Sequence, residues 1–206
     1  MTLQVVWFRR DLRLCDHPAL SQAASEGSVL PLFILDAALL RHPETGSARV
    51  AFLLESLRAL ADELEQRGSR LLLRQGEPAA TLVQVVRAYG AEAVMAHTDV
   101  ERIVGRVRDA RVEGVLSREG IRVRWFEQPG AVDALVPYPE YRRLWHGAMA
   151  RPPLSVPPRL DTPPPLADEP QTSIPTLQPS CSTRRGQRHH RRASSSRMEA
   201  SLAMSR

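Results

Sequence analysis

Five short runs of Val, Ile, Leu and Phe recur along the first 126 residues, and each is separated from the next by a longer segment with apolar residues at helical spacing. Strands joined through helices cannot pair as hairpins. A crossover of a dozen or more residues returns the chain in its original direction, so the alternation predicts a parallel sheet covered by helices on both faces. The expected strands are Leu3–Phe8, Val29–Leu35, Arg70–Leu73, Ala93–His97 and Ile121–Phe126. They read as nearly continuous apolar runs, as strands buried on both faces do.

Four helices are expected between them. The first, His17–Glu26, is given Asp16 as its N-cap and has Pro18 in its first turn. The second, Ser47–Arg67, carries Val50, Leu53, Leu54, Leu57, Leu60, Ala61 and Leu64 on one stripe and stops at Gly68. Glu77–Tyr89 ends at Gly90, and Glu101–Glu119 ends at Gly120. The expectation is a doubly wound, Rossmann-like α/β domain over residues 1–135, with a five-stranded parallel sheet in the order 3-2-1-4-5. Residues 136–182 read as a proline-rich linker, with ten prolines between 152 and 179. The Arg-, Ser- and His-rich stretch 183–206 has too few apolar residues to offset the entropy of ordering, so a disordered basic tail is expected.

Charge follows the same division. Residues 1–150 carry 19 Arg against 19 Asp plus Glu, so the whole net charge of +5 belongs to the remainder, with 9 Arg against 4 acids. A balanced domain lacks the electrostatic footprint of strong nucleic-acid binding, and a basic tail alone would bind polyanions unselectively. No apolar run approaches the roughly 18 residues of a membrane span, and the start lacks a signal-peptide core, so a cytoplasmic protein is expected. Two cysteines, Cys15 and Cys181, make neither a disulfide framework nor a four-thiolate zinc site.

Chemistry is narrowed by absences. The chain has no Lys, which excludes Schiff-base chemistry and the lysine-bearing phosphate loop. The first strand runs into Arg9, Arg10 and Asp11 with no glycine-rich dinucleotide turn, and no Gly-x-Ser-x-Gly elbow presents a nucleophile. What remains is a place. With strand order 3-2-1-4-5 the winding reverses between strands one and four, and the crevice there is bounded by Arg9–Asp11 and His97–Asp99, with Arg49 on the same rim. This reads either as a pocket for a planar, partly anionic small molecule or as a rim of surface ion pairs.

The residues around that crevice also carry a resemblance. Trp7-Phe8-Arg9-Arg10-Asp11-Leu12-Arg13-Leu14, followed by Asp16-His17-Pro18-Ala19-Leu20, resembles the opening signature of the DNA photolyase and cryptochrome family. Leu32–Asp36, Arg49 with Phe52-Leu53 and Ser56-Leu57, Gly68–Pro78, and Gly105-Arg106 with Arg108-Asp109 fit in the same order. The resemblance spans roughly residues 3–150. It implies an N-terminal α/β antenna domain, which holds a light-harvesting chromophore and passes excitation to flavin adenine dinucleotide (FAD) in a following helical domain. There the flavin repairs pyrimidine dimers in damaged DNA.

Gly105 stands where folate-using members carry Glu, so the resemblance implies an 8-hydroxy-deazaflavin or flavin mononucleotide (FMN) antenna rather than a folate. The chromophore-binding positions it implies are Arg49 and Asp99, with Arg9, Asp11 and Asp36. Arg9, Arg10 and Asp11 also read as an internal salt-bridge knot that shapes the first loop. The family's helical domain, with its FAD and DNA sites, is missing from this sequence, and a truncation or shifted reading frame near residues 175–185 is expected. The chain alone is therefore expected to be inactive in repair and to bind DNA weakly. Two alternatives stay open: a cryptochrome-like blue-light signalling module, and a nucleotide-binding α/β module of the electron-transfer or stress-protein kind.

Overall fold

β1 (Thr2–Phe8) lies at the centre of a five-stranded sheet, with β2 (Gly27–Leu35) and then β3 (Leu72–Gln75) on one side and β4 (Ala93–His97) and β5 (Arg122–Phe126) on the other. Every pairing is parallel, so the order is 3-2-1-4-5 as expected. The computed structural model describes residues 2–36, 46–99, 103–131, 136–169 and 172–175. The tail expected to be disordered, 183–206, lies outside them.

The period of two along each strand divides the core into two layers. Val6, Phe8, Val29, Phe33, Leu35 and Met95 face α1 (Pro18–Glu26) and α2 (Ser47–Glu65), while Val5, Trp7, Leu30, Leu32, Ile34, Val94 and Ala96 face α3 (Pro78–Tyr89) and α4 (Ile103–Arg118). The stripe on α2 buries Leu54, Leu57, Leu60 and Leu64 as expected.

Three local expectations are corrected. The N-cap of α1 is His17, whose Nδ1 accepts the Leu20 backbone N–H at 3.0 Å. Asp16 is instead in the left-handed region, at φ 51°, and its carboxylate accepts the Leu154 backbone N–H at 3.2 Å. β3 begins two residues later than expected, because Gly68 at φ 75° ends α2 and the Ser69 N–H returns to the Leu64 carbonyl. A further helix, α5 (Tyr138–Met149), forms in the stretch read as linker; it buries no residue and leaves Tyr138, Leu144, Trp145 and Met149 exposed.

The proline-rich residues that follow α5 are fastened to the domain. Leu160 is buried in the same core layer as the leucines of α2, a burial that stabilises by about 2 kcal/mol. β3 pairs only with Leu32–Leu35, so the beginning of β2 has no strand on that side. There the Val29 N–H donates to the Asp161 carbonyl at 2.7 Å, the Ser28 hydroxyl to the Asp161 carboxylate at 2.7 Å, and the Leu160 N–H to the Arg67 carbonyl at 3.1 Å. Pro31, which lacks an N–H, falls in this stretch and leaves no ladder donor orphaned.

Farther along, Glu169 accepts from Arg70 and Arg74 at 3.2 Å and from the Tyr89 hydroxyl at 2.7 Å. Burial by itself would raise the Glu169 carboxyl, but these bonds outweigh it and hold the group below its ordinary value.

Candidate functional site

The carboxyl ends of β1 and β4 open into a crevice lined by Arg9, Arg10, Asp11, His97, Thr98, Asp99 and Gln128. This is the place at which the winding of the sheet reverses. Among the described residues the cavity is about 20 Å³, which admits about one water molecule. Residues 37–45, 100–102 and 132–135, which continue from β2, β4 and β5, lie outside the described residues.

Ion pairs fill the upper layer of the crevice. Arg9 Nη1 donates to Asp109 at 2.5 Å, and its other Nη donates to the His97 backbone carbonyl. Arg108 reaches Asp99 at 3.1 Å and Asp109 at 3.4 Å, and Arg10 lies 4.0 Å from Asp99. Aromatic faces complete the arrangement: the Arg9 guanidinium lies 4.8 Å from the Trp7 ring centre and 5.5 Å from that of Trp125, and Arg108 lies 5.5 Å from Trp7. Burial of Arg9 lowers its pKa, opposed by the Asp109 charge.

Helix α4 holds Asp99 in place. The Asp99 side chain is only 6% exposed and packs against Gly105, where an added β-carbon would lie 2.8 Å from the Asp99 Cβ and closer still to its carboxylate. The Asp99 N–H donates to Asp109 at 3.1 Å, tying the end of β4 to the same helix. Asp99 is therefore fixed by backbone geometry, a glycine and an arginine together.

Beneath this layer sits a buried group that the sequence reading did not assemble. Asp11 accepts the Arg9 backbone N–H at 2.9 Å through one oxygen, and its other oxygen meets His97 Nδ1 and, at 3.0 Å, His17 Nε2. The two imidazole rings lie 4.2 Å apart between centres. Burial alone would raise the Asp11 carboxyl, but the hydrogen bonds from both histidines prevail and hold it well below the ordinary value. Burial lowers the His17 pKa, with Asp11 opposing.

Three such side chains invite a metal reading, which the hydrogen bonds oppose. Because His17 Nδ1 accepts an N–H, its neutral ring carries the proton on Nε2, the atom that faces Asp11. A metal-binding histidine presents a lone pair to the ion and donates from its other nitrogen. His17 has the opposite arrangement.

The expected site residues thus separate. Arg9, Asp11 and Asp99 meet in the crevice, where Arg9 and Asp11 form an internal knot. Arg49, in the first turn of α2, is exposed, and Asp36 is half-buried at the end of β2; neither lines the described cavity. His17, His97, Trp7 and Trp125 were missed as a group. His97 is 86 positions from Asp11, and only the pairing of β1 with β4 brings them together.

The chain is 37% identical over 154 residues to a deoxyribodipyrimidine photo-lyase of Synechococcus sp., a match covering 71% of this chain and 32% of that protein. It is 38% identical over 128 residues to a blue-light photoreceptor of Arabidopsis thaliana, covering 59% of this chain and 28% of the relative. Among solved structures, an archaeal photolyase from Sulfolobus tokodaii, described with two FAD molecules, superposes with a TM-score of 0.68 at 27% identity, over 79% of this chain and 39% of that one. This chain spans about a third of the length of these relatives. No helix among the described residues is long and apolar enough to cross a membrane. The family model described as DNA photolyase matches residues 4–137, and the chain belongs to the DNA photolyase family.

Proposed function

We propose that this α/β domain is the chromophore-holding, light-harvesting portion of a photolyase that repairs pyrimidine dimers in damaged DNA. The observation that carries the reading is the crevice at the β1–β4 reversal, with Asp99 locked against Gly105 by Arg108 and Arg10 beside it. Light harvesting asks a protein for a rigid, oriented pocket rather than for an acid, a base or a nucleophile. An immobilised carboxylate bordered by guanidinium groups is such a floor.

The residues fit a planar, hydrogen-bonding ring system at the mouth, where Arg10 is 43% exposed and Thr98, Asp99 and Gln128 offer polar edges. Arg49 and Asp99 are assigned to hold the chromophore and Arg9 and Asp11 to support the floor, with Asp36 on the rim. The bound pigment would supply absorption in the near-ultraviolet or blue. Because Gly105 leaves no carboxylate of its own at that position, the assignment is 8-hydroxy-deazaflavin or FMN rather than a folate. FAD and DNA contacts are assigned to the two-thirds of the relatives' length that this chain does not span.

Absorbance and fluorescence titration of the purified chain with 8-hydroxy-deazaflavin, FMN and methenyltetrahydrofolate tests the reading. Saturable binding of a flavin-like ligand with no folate binding is expected. Binding of an adenine nucleotide with none of the three pigments would overturn it. Blue-light irradiation with ultraviolet-damaged DNA is expected to restore no pyrimidines in the absence of a flavin-bearing partner. The similarity to a plant blue-light photoreceptor supports a second, signalling reading of the same pocket, distinguished by a protein partner in place of damaged DNA.

A further inference from the structure

We propose that His17 is a proton-operated latch, which caps helix α1 and closes the first loop over the crevice only while its Nδ1 is unprotonated. Residues that cap helices through side-chain oxygens do not change their acceptor near neutral pH. An imidazole nitrogen does, because the lone pair that accepts the helix N–H is the site that takes the proton.

The surrounding bonds fix which nitrogen is which. The Asp11 carboxylate is ionised and can only accept, so the ring atoms that face it, His97 Nδ1 and His17 Nε2, carry hydrogens. His17 Nδ1 is left as an acceptor and takes the Leu20 N–H at 3.0 Å. A second proton on His17 would therefore set donor against donor at the first turn of α1. The Leu20–His17 hydrogen bond must break as the proton enters from solvent.

Little nearby would compensate the new charge. His17 is fully buried, with the Phe8 ring centred 4.8 Å away and the His97 ring 4.2 Å away. Asp11 is the one acidic group that faces it among the described residues, and its carboxylate is already shared with His97 and the Arg9 N–H. His97 and, from the first loop, Arg13 oppose a further positive charge. Arg9, which donates to the His97 backbone carbonyl, is already occupied by Asp109 from α4. Among the described residues His97 Nε2 has no hydrogen-bond partner, so the neighbouring ring offers no acceptor route away from His17.

The consequence extends to the crevice through Asp11. One of its oxygens holds the Arg9 backbone N–H and the other holds both rings, so a turned His17 loosens the segment that presents Arg9 and Arg10. The latch consists of the chain's own hydrogen bonds and operates whether or not a pigment binds.

Ring-nitrogen NMR and amide exchange of the chain between pH 8 and pH 5 test it. The long-range nitrogen–proton spectrum at pH 8 is expected to show His17 protonated at Nε2. Leu20 amide protection, corrected for intrinsic rate, is expected to fall by up to tenfold per pH unit as the pH drops toward the midpoint of the ring and to level off below it, as one-proton linkage requires. His17→Asn keeps a cap acceptor that does not titrate, and its Leu20 protection is expected to be flat over the same range. A ring protonated at Nδ1 at pH 8 would overturn the latch, and so would the same fall in protection in His17→Asn. Should that variant fail to fold, the wild-type chain decides alone: the fall in Leu20 protection must level off at the pH where the His17 ring signals titrate, and a fall that continues unchanged through that pH rejects the proposal.

Discussion

The carboxylate of Asp99 lies in the space that a side chain on residue 105 would fill. Residue 105 is thus not a neutral position on α4: the glycine is the condition for Asp99 to sit buried beside Arg108.

Gly105→Ala is accordingly expected to expel the Asp99 side chain and break its contact with Arg108. Overpacking of this kind costs about 1–3 kcal/mol, read as a lower urea midpoint. Gly105→Ala combined with Asp99→Gly is expected to recover part of that loss, because the clash is removed with its partner. Additive losses in the double variant would show that the two side chains do not compete for one space.

Arg49→Ala separates binding from stability. The residue is exposed on the first turn of α2, where a surface interaction contributes about 0–1 kcal/mol, so the unfolding free energy is expected to fall by no more than about 1 kcal/mol. Flavin-ligand affinity in a fluorescence titration is expected to fall about tenfold, the loss of one charge-assisted hydrogen bond. An unchanged affinity would remove Arg49 from the site.

Stability should depend on pH in two steps whose signs follow from the folded-state shifts. The folded His17 pKa lies below its ordinary 6.5, so the unfolded chain binds the proton first, and stability is lost as pH falls from about 6.5 through the folded value. Asp11 is held well below its ordinary 3.8, so its contribution is present above that value and is lost as pH falls beneath it. Urea unfolding across pH 8 to 3 is expected to show both declines. His17→Asn should lack the upper one.

Leu160→Ala should destabilise the domain by about 2–5 kcal/mol, as the removal of a buried leucine does. Glu169→Gln should weaken the clamp on Arg70 and Arg74 and lower the Tyr89 hydroxyl pKa toward its ordinary 10.0, since Glu169 adds to burial in raising it. Spectrophotometric titration of tyrosine measures the second effect. A thermal midpoint unaffected by Leu160→Ala would mean that residues after α5 do not belong to the folding unit.

The parallel sheet was legible in the sequence because its evidence is local and repeated. The apolar runs from Leu3 to Phe126 and the stripe on α2 need no knowledge of partners. Asp99 and Arg9 were legible as a place, since strand order alone puts the ends of β1 and β4 together. The Asp11–His17–His97 group was not, because no spacing within one element encodes it. Asp16 beside His17 looked like the natural cap, and only the left-handed turn at Asp16 shows why the next residue takes that role. The docking of Leu160 and Asp161 was equally hidden: irregular backbone that binds a strand edge leaves no period behind.

That last contact bears on how this domain must be produced. A protein ended at residue 135 would strip Asp161 from Val29 and Leu160 from the core, leaving the Val29 N–H and the open side of β2 beside an apolar surface. An uncovered strand edge invites the addition of foreign strands. The proline-rich segment acts as a guard against self-association, and preparations that omit it are expected to precipitate where the longer chain stays in solution.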